Sequence, residues 1–197
     1  LAADVGSMLI VECDGRDARA VDAELDRTAA VCLAAGALTT SLARTADARE
    51  KLWAVRRRMS RALRQRAKCK LSEDIVVPRT RVPDLLSAVK DLSEKHQIVM
   101  PTYGHAGDGN LHVNLLWDED HQRPAVNRAI EGLFRTTLAM GGTLTGEHGI
   151  GTLKAPYLHL EQSEALIALQ QRMKSAFDPK GLLNPGKIFS RGGHGPC

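Results

Sequence analysis

Two short stretches of the chain concentrate residues able to do chemistry. The first is Tyr103 to Asn114, YGHAGDGNLHVN, which sets His105, Asp108, Asn110, His112 and Asn114 among Gly104, Gly107 and Gly109. His112 and Asn114 are two residues apart, so on an extended strand both leave the same face. A tight glycine turn, where positive φ and close backbone approach carry no side-chain penalty, would bring His105 back beside them. Two imidazoles held together are good ligands for a divalent ion. The second stretch is Gly141 to Lys154, GGTLTGEHGIGTLK. Its Glu147 would complete a set of two histidines and one carboxylate, with positions left open for substrate oxygens. His148, next in sequence but pointing elsewhere, would be free to exchange a proton near neutral pH.

Plainer readings compete. A histidine beside a turn is more often a hydrogen-bonded structural residue, and spacing alone leaves the metal site and the structural role equally open. A third stretch, FDPKGLLNPGKIF from Phe177 to Phe189, carries two prolines and two glycines, and on residue types alone is a C-terminal wrap over the core. The glycines form neither a G-x-G-x-x-G between strand and helix nor a G-x-x-x-x-G-K-[ST] phosphate loop.

The elements that must position these residues follow from hydrophobic period. Ser7 to Cys13 is an apolar, β-prone run closed by Asp14-Gly15, and Leu38 to Leu42 is β-prone and expected to pair with it. Between them, Val21, Leu25, Thr28 and Cys32 form one helical stripe ending near Gly36. A longer helix is expected from about Asp47 to Ala67, with Leu52, Val55, Met59 and Leu63 on one side and Arg56, Arg57, Arg58, Arg61, Arg64 and Arg66 on the other. Ile75 to Val77 reads as a short strand stopped by Pro78. Pro83 suits the first turn of a helix carrying Val82, Leu85, Leu86, Val89 and Leu92. Ile98 to Met100 reads as a strand. Leu111, Val113 and Leu115 alternate with His112 and Asn114, the pattern of a strand with one apolar face. Val126, Ile130, Leu133 and Phe134 mark a helix ending near Gly141-Gly142; Leu166, Leu169, Met173 and Phe177 mark another, stopped by Asp178-Pro179. The Gly-rich tail from residue 190 to 197 is expected to be disordered. The order gives an α+β fold, an antiparallel sheet with helices packed mainly on one face.

Composition sets the bounds. The chain has 197 residues, 43% hydrophobic and 25% charged, which suits a soluble globular domain rather than a disordered segment. No apolar run approaches the roughly 20 residues of a membrane span, and no secretory signal opens the chain. It begins at Leu1 rather than Met, which is expected of a fragment or a processed product. Four cysteines without a C-x-x-C pair point to reduced thiols in a cytoplasmic setting.

The three stretches together resemble the C-terminal domain of FAD-linked oxidases of the vanillyl-alcohol-oxidase type, the group that includes glycolate oxidase flavoprotein subunits, D-lactate dehydrogenases and D-2-hydroxyglutarate dehydrogenases. The matching residues are Gly104-His105 with Gly107 to His112, Glu147 to Gly151 with Lys154, and Asp178-Pro179 with Leu183 to Lys187. Leu52-Trp53 with Arg56, and Ser72-Glu73-Asp74 with Pro78, agree more weakly. The resemblance implies a ferredoxin-like cap over residues 1–189 that closes a flavin site, with the N-terminal FAD-binding domain absent from this chain. It implies oxidation of a small 2-hydroxy acid, of glycolate or D-lactate type, to the 2-keto acid with hydride transfer to FAD. His105, His112 and Glu147 then match ligands of zinc or a similar divalent ion, and His148 the catalytic residue that takes the hydroxyl proton. Arg56, Ser60, Lys70 and Asn114 match substrate-binding residues; Asn110, Asn184 and Lys187 lie in segments that face the cofactor. The implied partners are the 2-hydroxy acid, an FAD-binding domain or subunit, and an electron-acceptor subunit that would place the protein at a membrane periphery; a homodimer is compatible.

Two other classes remain on the residues. The arginine-rich helix face could meet phosphates, but a net charge of +4, 4% aromatics and no nucleic-acid motif favour a solvated face and no nucleic-acid partner. A standalone metal-binding module or metal-dependent hydrolase could use His105, His112 and Glu147, although no nucleophile is identifiable.

Overall fold

The computed structural model describes residues 5–189, so the tail from 190 onward, expected to be disordered, lies outside the described residues. The chain divides into two units, the first ending at Ala62 and the second beginning at Leu63.

In the first unit, α1 (Ala18–Ala34) starts at Asp17, whose carboxylate accepts from the N–H groups of Arg19 and Ala20 at 2.8 and 3.3 Å. The helix ends before Gly36, at φ +95°. A second helix, α2 (Ala46–Arg64), carries the arginine face and ends three residues short of the expected Ala67. The expected strands at 7–13 and 38–42 are not formed. No described residue of this unit is buried; a short apolar run without a sheet to join has no partner for its backbone groups and stays irregular. Cys13 and Cys32 are free thiols, as expected.

The second unit is built on three antiparallel strands, β1 (Cys69–Val76), β2 (Thr102–His105) and β3 (Asn110–Trp117), in the order β1-β3-β2. A helix, α3 (Val82–His96), connects β1 to β2, and a second, α4 (Arg123–Ala139), follows β3. This is the split β-α-β arrangement of a ferredoxin-like sheet, with the fourth strand reduced to one bridge between Val76 and Thr143. β1 is much longer than the Ile75–Val77 segment read from sequence, and the expected strand at Ile98–Met100 shrinks to a single bridge between Val99 and Leu116.

The register sorts the side chains onto two faces. Glu73 pairs with Val113, Ile75 with Leu111 and Leu71 with Leu115, and this face packs into a core with Leu85 and Val89 of α3 and Val126, Ile130, Leu133 and Phe134 of α4. Asp74 pairs with His112, Ser72 with Asn114, Tyr103 with His112 and His105 with Asn110 on the other face. The expected α+β fold, with an antiparallel sheet and helices packed mainly on one side, is what the structure shows. Every residue of β3 is buried, so the polar face is covered too rather than left in water. After α4, a 3-10 segment (Ala155–Leu160) leads to α5 (Glu164–Phe177), which stops at Asp178 as expected. Among the described residues no helix is long and apolar enough to cross a membrane.

Candidate metal and substrate site

The polar face of the sheet brings the separate stretches together. The turn between β2 and β3 returns the chain tightly: Gly109 has φ +73°, and a Cβ there would stand 2.0 Å from the Val77 carbonyl oxygen, so no other residue fits. That turn sets His105 beside His112, ring centroids 5.8 Å apart and nearly perpendicular. The 145–148 segment then brings Glu147 and His148 onto the same imidazole. His112 Nε2 is 3.3 Å from Glu147 Oε1, and the His148 ring stacks on the His112 ring at 5.2 Å and 15°. One ligand atom from each of His105, His112 and Glu147 lies within 4.8 Å of the others. The expected ligand set therefore meets in space.

The donors fit a divalent ion. Four tetrahedral donors at about 2.1 Å from an ion stand about 3.4 Å from one another, close to the 3.3 Å between His112 Nε2 and Glu147 Oε1. Burial lowers the pKa of His112, against the opposing pull of Asp74 and Glu147, which keeps the ring in the neutral form a metal requires. Its Nδ1 is buried without a hydrogen-bond partner and lies 3.9 Å from Asp74 Oδ1.

Asp74 is the anchor beneath. Its Oδ2 accepts from the N–H groups of Gly146, Glu147 and His148 at 2.8, 2.9 and 2.9 Å and from Thr145 Oγ1 at 3.2 Å; Oδ1 accepts from Asn110 Nδ2 at 2.6 Å. Burial would raise its pKa, but the His148 amide, the Asn110 side chain and the Glu147 and Gly146 amides outweigh it and hold the carboxyl well below its ordinary range. Lys154, itself buried, donates from Nζ to the carbonyl oxygens of Asp74 and, at 2.6 Å, Leu144, tying the start of the loop to β1.

Comparison with known proteins shows the family. The family described as "FAD linked oxidases, C-terminal domain" matches residues 1–188. The "Glycolate oxidase subunit GlcD" of Bacillus subtilis is 34% identical over 187 residues, covering 94% of this chain and 40% of that protein. A "D-lactate dehydrogenase" of Anaerostipes hadrus is 29% identical over 188 residues, again 94% of this chain and 40% of the relative. The mitochondrial "D-lactate dehydrogenase [cytochrome]" of Kluyveromyces lactis is 36% identical over 116 residues, 59% of this chain and 20% of its own length. This chain belongs to the FAD-linked oxidases, in their C-terminal domain. It spans about 40% of the length of the first two of these relatives.

Within this FAD-linked oxidase domain, the remaining expected residues are placed as follows. Asn114 is fully buried on the same face as His112; its Nδ2 donates to the carbonyl oxygens of Pro101 and His112 at 3.0 and 3.1 Å, and its Oδ1 has no partner. Asn110 spends both amide hydrogens inside the chain, on Asp74 and the Ile75 carbonyl. Lys70 lies on the site face of β1, four residues before Asp74 and so about 13 Å along the strand. Burial and then Arg64 lower its pKa. Arg56 and Ser60 lie on α2 in the first unit, four residues apart and so on one side of that helix. Asn184 and Lys187 are exposed, in a segment whose Ile188 N–H donates to the Gly151 carbonyl at 2.7 Å. From the sequence, Asp74 is named only as a weaker match to the family, with no role in the site. Extending period-2 alternation back from Ile75 through the polar Ser72-Glu73-Asp74 would have put it on the site face.

Proposed function

We propose that this chain is the substrate side of a flavin-dependent dehydrogenase that oxidises a small 2-hydroxy acid, of glycolate or D-lactate type, to the 2-keto acid. The observation that carries the reading is the meeting of His105, His112 and Glu147, whose ligand atoms lie within 4.8 Å of one another, with His148 stacked on His112. When bound, FAD supplies the hydride acceptor and a divalent ion, zinc or a similar one, supplies charge at the substrate oxygens.

His105, His112 and Glu147 would hold the ion, and thereby fix where the hydroxyl and one carboxylate oxygen lie. His148, whose side chain is half exposed, would take the hydroxyl proton on a ring nitrogen. Arg56 would grip the substrate carboxylate in the bidentate manner that guanidinium allows. Ser60, Lys70 and Asn114 would contact the substrate. Asn110, Asn184 and Lys187 would face the cofactor, most of whose contacts would come from an FAD-binding domain or subunit. Support for these roles is the family membership and the shared face of Lys70, His112 and Asn114.

Calorimetric titration with Zn²⁺ or Mn²⁺ tests the ligand set: binding is expected in the unaltered chain and lost in Glu147→Gln. In the FAD-loaded enzyme, His148→Ala should lower turnover of the 2-hydroxy acid by about 100-fold at unchanged metal content. A chain that binds no divalent ion, or an FAD-loaded enzyme indifferent to His148→Ala, removes the corresponding role.

A further inference from the structure

The turn that carries Glu147 and His148 has almost nothing of its own to hold it. The two side chains are 53% and 52% exposed. Among the described residues no backbone-to-backbone hydrogen bond reaches 145–148. Three consecutive N–H groups and the Thr145 hydroxyl converge instead on one buried oxygen, Asp74 Oδ2.

Asp74 also forms a second candidate ligand group, with His112 and His148. Its oxygens argue against that role. A carboxylate offers about four lone-pair sites, and this one already accepts five donors, four on Oδ2 and one on Oδ1. Turning Oδ2 toward an ion would break the three amide bonds that seat the turn, and Oδ1 is held by Asn110 at 2.6 Å. The carboxylate therefore acts on the ligands rather than as one.

We propose that Asp74 is the positioning residue of the site: it holds the Gly146–His148 turn in place and orients His112 so that Nε2 faces the ion. Asp74 stands directly across the β1–β3 pair from His112. A carboxylate on the Nδ1 side, 3.9 Å away, favours the tautomer with its proton on Nδ1 and its lone pair on Nε2, the atom 3.3 Å from Glu147. Gly146 shows how closely the turn is seated: a Cβ there would stand 2.2 Å from Asn110 Nδ2 and 2.9 Å from Asp74 Oδ1. The orienting half of this inference rests on the metal reading above; the turn-holding half does not.

Two variants of the complete protein test it. In Asp74→Asn, whichever way the amide is turned, its NH₂ group meets donors, either the three backbone amides or Asn110. Hydrogen exchange of the 146–148 amides should accelerate by about tenfold or more while α4 amides keep their protection. Zn²⁺ affinity should fall by about 10–100-fold, and ¹⁵N spectra of the His112 ring should lose the single Nδ1–H tautomer. Gly146→Ala should free the turn and weaken Zn²⁺ binding while leaving that tautomer unchanged, and it carries the test if Asp74→Asn does not fold. A merely structural aspartate would lower the melting temperature without moving the tautomer. Unaltered protection of the three amides in folded Asp74→Asn, or Zn²⁺ affinity unmoved by both variants, overturns the proposal. If the unaltered chain binds no Zn²⁺, the metal reading falls, and amide exchange and tautomer still decide for or against Asp74.

Discussion

The two faces of the β1–β3 pair differ in what burial does for them. On the core face Ile75, Leu111, Val113 and Leu115 are buried against helices, and each removes apolar surface from water. On the site face Asp74, Asn110, His112 and Asn114 are just as buried, and burial is a cost that each must offset with a hydrogen bond. Asp74 offsets it completely, whereas His112 Nδ1 and Asn114 Oδ1 do not. Unsatisfied buried polar atoms on one face of a sheet mark the side kept for ligands, and satisfied apolar ones the side kept for stability. Substitutions on the two faces should therefore move different observables.

The largest effect belongs to the core face. Leu115→Ala should cost about 3–5 kcal/mol of stability, read by denaturant unfolding, with Zn²⁺ affinity of the folded protein unchanged. A loss of metal affinity as large as that of a ligand variant would mean that the faces are not separable.

Glu73 breaks the division, because it is a carboxylate on the core face, 1% exposed, with Oε1 unpartnered. Burial raises its pKa to about 7; Lys154 opposes the rise and Asp74 adds to it. A carboxyl with a raised pKa in the folded state binds a proton there that the unfolded chain has already released. Its stabilising contribution is full below the ordinary value of 4.5 and is lost as pH rises through about 7. The shift corresponds to on the order of 3 kcal/mol at about 1.4 kcal/mol per unit. Glu73→Gln should flatten the melting temperature between pH 5 and pH 8 and exceed the unaltered protein at the upper end. Equal pH dependence in the two proteins would show that Glu73 stays ionised beside Lys154.

His112→Ala is the mirror of Leu115→Ala. It should lower Zn²⁺ affinity by about 100-fold, near 2.7 kcal/mol, while the unfolding free energy in the absence of metal changes little or rises, since an unpartnered buried nitrogen is removed. A large loss of metal-free stability would mean that the site face carries part of the core's work.

This asymmetry also explains which parts could be read from the sequence. In β3 the alternation of Leu111, Val113 and Leu115 with His112 and Asn114 gave strand, register face and ligand candidates together, since period 2 separates the two roles residue by residue. In β1 the same alternation was hidden, because Glu73 is polar on the apolar side; the strand was read as Ile75–Val77 and Asp74 fell outside it. The runs at 7–13 and 38–42 erred the other way. Their apolar residues suggested strands, but Leu9 and Leu38 are 67% and 69% exposed and no ladder forms. Pairing is a property of the partner, not of the run. The meeting of His105, His112 and Glu147 could be suggested because glycines adjoin His105 and Glu147 and period 2 puts His112 on the polar face. The substrate roles proposed for Arg56, Ser60 and Lys70 rest on resemblance, since no spacing links residues on α2 to a strand.

The smallest effect gives the sharpest limit on the site's extent. Ser72 shares the site face with Asp74 and stands opposite Asn114, but it is half-buried and its hydroxyl makes no side-chain hydrogen bond among the described residues. If function is confined to the end of the sheet where Asp74 holds the 145–148 turn, Ser72→Ala should change stability by no more than about 0.5 kcal/mol and leave Zn²⁺ affinity untouched. If the polar face instead extends as a substrate surface toward Lys70, the same variant should raise KM for the 2-hydroxy acid in the FAD-loaded enzyme at constant kcat. Removing one hydroxyl thus separates a site that ends at His112 from one that continues along β1.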